Sequence, residues 1–194
     1  EECEAVETMT ELIEYYKGIF TILSSCASRQ LEEVTFRRTV SPVQELLGAA
    51  GKYFKKLMKN RPERIELEIE PMEAKVIGDV NQLRFLLENL IDEALTVRED
   101  GVIRLQARKD NEYIRFLFTD TRREKSVEEL NQLFYPNLAR MTSGEKGELR
   151  GTEYLVCKQI IRDHDEFAGR RGCRINAEPA EGGGFTVYFT IPRR

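Results

Sequence analysis

Apolar residues recur three and four apart near the start of the chain: Val6, Met9, Ile13, Tyr16, Phe20, Leu23, Ala27 and Val34, with Gln30 at the one polar seam position. That a/d spacing predicts a long heptad helix. A single helix cannot bury such a seam alone. Its partner is a helix of another chain, an upstream segment, or its own domain. Ser41-Pro42-Val43-Gln44 then predicts a second helix, with a serine cap, proline at the first position and glutamine completing a capping box. It runs to about Lys59, where Arg61-Pro62 breaks it. Ile65, Leu67 and Ile69 alternate with charged residues, which predicts a half-buried strand, and residues 74–77 a short second one.

The clearest helix is Asp79 to Thr96. Asp79 is a good N-cap, Gln82 fits a capping box, and Leu83, Leu86, Leu87, Leu90, Ile91 and Ala94 form a buried stripe. Asn89 and Glu93 lie one turn apart beside that stripe. Ile103, Leu105 and Ala107 alternate, Lys109-Asp110-Asn111-Glu112 turns, and Ile114, Phe116 and Phe118 alternate back, which is a hairpin. Ser126 to Glu129 is a capping box opening a short helix through Phe134. Residues 136–151 are polar and glycine-containing, hence a loop. Thr152 to about Asp165 is helical, with Tyr154, Leu155, Cys157 (or Lys158) and Ile161 facing inward. A closing hairpin pairs 174–178 with 185–191, its buried face being Phe185, Val187, Phe189 and Ile191. Strands joined by turns predict antiparallel pairing with helices on one face, an α+β two-layer α/β sandwich behind a helical stalk.

Net charge is −4 over 194 residues, which gives no electrostatic case for nucleic-acid binding by the whole chain. Cys3, Cys26, Cys157 and Cys173 lack CxxC spacing, and with His164 the only histidine a zinc site is disfavoured. Widely spaced cysteines suit a reducing, cytoplasmic setting. No apolar run approaches the ~18 residues of a spanning helix, so no membrane contact is expected of this fragment. The chain opens on Glu1-Glu2 rather than Met, which reads as a piece of something longer.

The order of elements and several local sequences resemble the catalytic, ATP-binding domain of sensor histidine kinases, whose fold is shared with gyrase, Hsp90 and MutL. Gly78-Asp79-Val80-Asn81-Gln82-Leu83 resembles the segment before the family's asparagine-bearing helix, and Leu87-Glu-Asn-Leu-Ile-Asp-Glu-Ala94 that helix. Phe118-Thr-Asp-Thr121 is similar to the strand of the first glycine box, and Leu133-Phe134 to the phenylalanine box. Gly151 to Ile161 resembles the second glycine box and its helix, and Gly182 to Pro192 the closing strand. The resemblance implies a mainly antiparallel mixed sheet with helices on one face. Residues 1–40 would be a stalk like the second helix of a dimerisation and phosphoacceptor hairpin, and 41–194 the ATP-binding domain.

The resemblance places nucleotide binding, if retained, on Asn89, Glu93, Asp120, Thr121 and Gly151, with Asp120 reading adenine and Asn89 and Glu93 as Mg2+ ligands. By the resemblance, Glu93 stands where the family has its magnesium-ligating asparagine, and the asparagine one turn earlier is kept as Asn89. Arg122 and Glu124 stand where the first box has glycines, and Leu149 and Glu153 where the second does. Glycines there let backbone approach phosphate, and the bulk and charge of these replacements oppose it. The implied protein is a degenerate member with weak or no binding of ATP and Mg2+ and no catalytic residue of its own, acting as a regulatory or interaction module. Its implied partners are a second copy through the stalk, and a response regulator or partner kinase. The alternatives are an active transferase core that phosphorylates a histidine upstream of Glu1, and a structural dimerisation domain. His164 reads as structural. A carboxylate facing an emptied cleft would be costly unpaired. Arg122, Arg123 or Arg150 is therefore expected to pair with Glu93 or Asp92.

Overall fold

The computed structural model describes residues 36–135, 142–143 and 149–194. The heptad segment 1–34 and its seam lie outside them. The contacts divide the chain into two units, one of residues 1–35 and 136–152, the other of 36–135 and 153–194. In the first unit the described backbone forms a short antiparallel ladder, β6 (Thr142–Ser143) on β7 (Leu149–Arg150).

The second unit runs β1 (Thr39–Pro42), α1 (Val43–Met58), β2 (Ile65–Ile69), β3 (Lys75–Gly78), α2 (Val80–Ala94), β4 (Gly101–Asp110), β5 (Tyr113–Asp120), α3 (Val127–Asn131), α4 (Glu153–Phe167), β8 (Ile175–Pro179) and β9 (Phe185–Pro192). Five strands form one sheet in the order β2-β4-β5-β9-β8. All its pairings are antiparallel except β2 with β4. The alternating apolar residues of β4, β5 and β9 face the helices. There Phe116 stacks on Phe189 at 4.9 Å between centroids. Leu83, Leu86, Leu87, Leu90, Ile91 and Ala94 of α2 are buried in the same core. Each such leucine contributes about 1.5–3 kcal/mol by leaving water.

Three sequence expectations change here. The strands at 65–69 and 74–77 do not pair with each other: β2 joins β4 in parallel, and β3 pairs with β1 in a separate two-stranded sheet. The reason is connection length, since α2 crosses between β3 and β4 and carries the chain back parallel to β2. Ser41 does not cap α1. Its backbone is committed to the ladder with Val76, and Pro42 takes the cap position with no side-chain bond. In α4, Ile160 is buried and Leu155 only half-buried.

The cap of α2 uses a residue far away in sequence. Asp79 accepts from the amides of Asn81 and Gln82. Its own amide donates to His164 Nε2 at 3.1 Å rather than to Gln82. His164 Nδ1 lies 2.8 Å from the Ile160 carbonyl, so a neutral ring with the proton on Nδ1 satisfies both bonds. Burial lowers its pKa, although the Ile160 hydrogen bond and the nearby Asp79 and Asp163 charges act the other way.

Candidate functional site

The C-terminal turn of α2, the end of β5 and the start of α4 surround one cluster of charged side chains. Asp120 closes β5, paired opposite Ile103 on one side and Phe185 on the other, and is 1% exposed. The turn that follows brings Arg122 and Arg123 back over it.

The Arg122 side chain is buried to the same degree and uses all five of its N–H groups. Nε donates to Asp120 Oδ1 and Nη2 to Oδ2, both at 2.9 Å. Nη2 also donates to the Ala94 carbonyl at 2.6 Å, and Nη1 to the carbonyls of Glu99 at 3.2 Å and Val97 at 3.4 Å. Ala94 ends α2, so the guanidinium also caps a helix C-terminus, where a cation meets the negative end of the dipole. The Arg122 stem fits because position 101 is glycine: a Cβ there would come within 2.6 Å of Arg122 Cγ.

Arg123 bridges two carboxylates. Nε donates to Asp120 Oδ2 at 3.1 Å. Nη2 and Nη1 donate to Glu93 Oε2 and Oε1 at 2.9 and 3.4 Å. Its guanidinium lies 5.5 Å from the centroid of the Phe185 ring. Burial works against the Arg123 charge, but the Glu93 carboxylate outweighs it and raises the pKa. Tyr154, buried at the first turn of α4, has its hydroxyl pKa pushed well up, by burial first and then by Glu93.

Asp120 therefore receives four hydrogen bonds, from Arg122 N, Nε and Nη2 and from Arg123 Nε. A carboxylate offers about four lone-pair sites. All of them are engaged within the chain. Gly184 seals the other side: it sits at φ +81°, and a Cβ there would lie 2.1 Å from the Asp120 carbonyl oxygen.

The remaining candidates fall as follows. Asn89 is buried and its Nδ2 donates to the Phe85 carbonyl one turn back at 2.7 Å. Thr121 donates from Oγ1 to the Val102 carbonyl at 2.8 Å, which ties the turn to β4. Asp92 accepts from the Tyr53 hydroxyl at 2.8 Å, and among the described residues it has no arginine partner. Burial raises the Asp92 pKa and the Tyr53 bond partly offsets that. Gly151 adopts φ +87°, and the Arg150 side chain lies outside the described residues. Sequence reasoning missed the Arg122–Asp120 pair and the place of Tyr154. The Asp-x-Arg spacing at a strand end was the available signal for the first, and an aromatic at the first turn of α4 for the second.

A divalent cation with a nucleotide needs free carboxylate or amide oxygens and an adenine partner. As placed, Glu93 is given to Arg123 and Asp120 to both arginines, so neither carboxylate is free for that pair of ligands. Among the described residues no group of three His, Cys, Asp or Glu side chains is arranged to hold a metal ion. No described helix is long and apolar enough to cross a membrane.

Comparison with known proteins identifies the architecture. The chain resembles the catalytic domain of histidine kinase ThkA in its nucleotide-free form, with TM-score 0.63 and 20% identity over 81% of this chain and 96% of that one. It is similar to the mycobacterial sensor histidine kinase MprB, with TM-score 0.61 and 18% identity over 81% and 99%. It also resembles ThkA in complex with the response regulator TrrA, with TM-score 0.63 and 19% identity over 97% of this chain and 52% of that one. At such identities the likeness speaks for the fold alone. No curated protein sequence matches the chain. The profile of the histidine kinase-, DNA gyrase B- and HSP90-like ATPases matches residues 78–194. Domains of that family in general bind ATP with Mg2+. The match spans more than half of the sequence, from the cap of α2 to the end of β9, and the chain belongs to the histidine kinase-, DNA gyrase B- and HSP90-like ATPase family.

Proposed function

We propose that this chain is a degenerate histidine-kinase-type ATPase domain of a two-component signalling protein, with weak or no ATP and Mg2+ binding, serving as a regulatory or interaction module. One observation carries the reading: the four acceptor sites of Asp120 are filled from within the chain. The bridge from Arg123 to Glu93 supports it, standing in for the cation and the triphosphate. One of the first box's glycines, by the resemblance, is replaced by the arginine that makes the densest contacts, Arg122. In this proposal residues 1–40 are a stalk that forms a parallel homodimer through the heptad seam, and 41–194 the ATPase-like domain, to which β1 also contributes from Thr39. ThkA is recorded with a response regulator; a response regulator or partner kinase is the corresponding partner here.

Titration of the whole chain with a fluorescent ATP analogue, with and without Mg2+, tests this. We expect an affinity weaker than about 100 μM, or none. Low-micromolar, Mg2+-dependent binding overturns it. It would favour the second reading, an active kinase core, for which the presence of Asn89 and Asp120 at the family's positions speaks.

A further inference from the structure

Six cationic residues from four stretches of chain gather around the β4–β5 turn: Arg38, Lys75, Arg170, Arg171, Arg193 and Arg194. Contacts link them in sequence. The Arg38 guanidinium packs over Gly169, so closely that any side chain at 169 would meet it. Arg170 pairs with Glu112 at 2.7 Å, and Arg193 approaches the same carboxylate at 3.8 Å. The Arg194 amide donates to the Lys75 carbonyl at 3.0 Å. The Tyr113 hydroxyl donates to the Arg171 carbonyl. Two carboxylates pair with members of this group: Glu112, and Asp165, which is bound by Arg171 and the Gly172 and Cys173 amides. Among the described residues, the side chains of Arg38, Lys75 and Arg194 have no carboxylate partner.

An apolar element adjoins the charge. Phe167, at the end of α4 and two residues before Gly169, is 51% exposed. It lies tilted against Phe36 at 5.8 Å. Val40, two residues beyond Arg38 on β1, is 44% exposed. An aromatic flanked by arginines is the composition that concentrates binding energy at protein interfaces. Five of the six cations are arginine, whose planar fork takes a carboxylate bidentately. A diffuse polyanion would be served as well by lysine.

We propose that this pole docks an acidic protein segment with an apolar anchor, its carboxylates on Arg38, Arg170 and Arg194 and the anchor against Phe167. The proposal rests on the interaction-module reading above, yet it fails separately, since nucleotide titration reports on Asp120 and not on this surface.

The test is fluorescence anisotropy of the full chain with a labelled peptide of aspartate and glutamate around a central Leu-Leu pair. A control peptide carries serines in place of the leucines. We expect saturable binding of the leucine peptide that weakens with salt, and weaker binding of the serine peptide. Arg38→Glu with Arg170→Glu should weaken it more than about tenfold, and Phe167→Ala several-fold for the leucine peptide only. Arg194→Glu, at an exposed position, provides a second charge reversal should the double variant misfold by circular dichroism. No binding of the leucine peptide, equal binding of the serine peptide, or indifference to these variants overturns the proposal. So does tighter binding to phosphatidylserine vesicles or to duplex DNA than to the leucine peptide.

Discussion

Replacing Arg122 by alanine isolates the energetic centre of the charged cluster. The substitution removes five side-chain hydrogen bonds and leaves Asp120, 1% exposed, with only the Arg122 amide and Arg123 Nε as donors. It also takes a donor from the part-buried carbonyls of Ala94 and Val97 and from the exposed one of Glu99. Breaking a buried pair from one side costs about 3–5 kcal/mol, because a desolvated charge is left uncompensated. For a domain of this size each kcal/mol moves the melting temperature by about 2–4 °C, so a fall of about 6–20 °C is expected. Thermal unfolding followed by circular dichroism reads it directly. The double variant Asp120→Asn/Arg122→Ala should recover part of the loss, since an amide carries no stranded charge, and the cycle yields the coupling between the two. Arg104→Ala is the control: its pair with Glu68 is about half exposed on both sides and is expected to matter by less than about 1 kcal/mol. A fall of under about 3 °C for Arg122→Ala, or a double variant no better than the single, would refute the reasoning. It would mean that water serves Asp120 as well as arginine does.

Glu93→Asn, which restores the residue type of the ATP-binding relatives, should lower stability by about 1–3 kcal/mol in urea unfolding, since it leaves Arg123 with Asp120 alone; it should not confer Mg2+-ATP binding while Arg122 holds Asp120. His164 has a depressed pKa, so the unfolded chain takes up its proton first. Its contribution is full above the ordinary value of about 6.5 and declines as pH falls below it, and a His164→Gln variant should show a flatter dependence over that window. Phe20→Glu places a charge in the heptad seam of the proposed stalk, where burying an aromatic would contribute about 1.5–3 kcal/mol per chain, and light scattering should show the proposed dimer dissociating; a monomeric parent chain at the same concentration would count against the stalk.

The parts of the fold set by local periodicity were legible in the sequence. The apolar stripe of α2, the β4–β5 hairpin, the Ser126 capping box and the buried alternation of β9 follow from period and turn chemistry alone. What was not legible depends on partners far apart along the chain. The pairing of β3 with β1 rather than β2 is a choice between edges that alternation does not encode. The cap of α2 looked complete with Gln82, yet His164 arrives from 85 residues away and takes the Asp79 amide. In the site, Arg122 and Glu93 appeared as departures from a family pattern. Where each would go depended on the turn after β5, which folds Arg122 onto Asp120 and sends only Arg123 across to Glu93.

The electrostatics of that arrangement bear on any nucleotide that approaches it. Asp120 and Glu93 carry two negative charges, Arg122 and Arg123 two positive ones, so the cluster is neutral before a ligand arrives (2 − 2 = 0). A triphosphate gains little from arginines already paired. To recruit Arg123 it must take the guanidinium from Glu93 and leave a carboxylate beside its own oxygens. Adenine must in addition displace Arg122 from Asp120 and from the carbonyls at the end of α2. If the first separation costs what Glu93→Asn does, about 1–3 kcal/mol, it alone weakens binding by roughly one to two orders of magnitude, and the second, at a fully buried pair, costs more. A magnesium ion on Glu93 would repair the charge there but leave Arg123 with Asp120 alone. On the proposed reading the cluster trades a ligand that comes and goes for two arginines that are always present. Its conformation should then be independent of nucleotide, and amide exchange at the Arg122 and Arg123 turn should be the same with and without millimolar Mg2+-ATP. Slower exchange in that turn on adding nucleotide would show that the arginines yield.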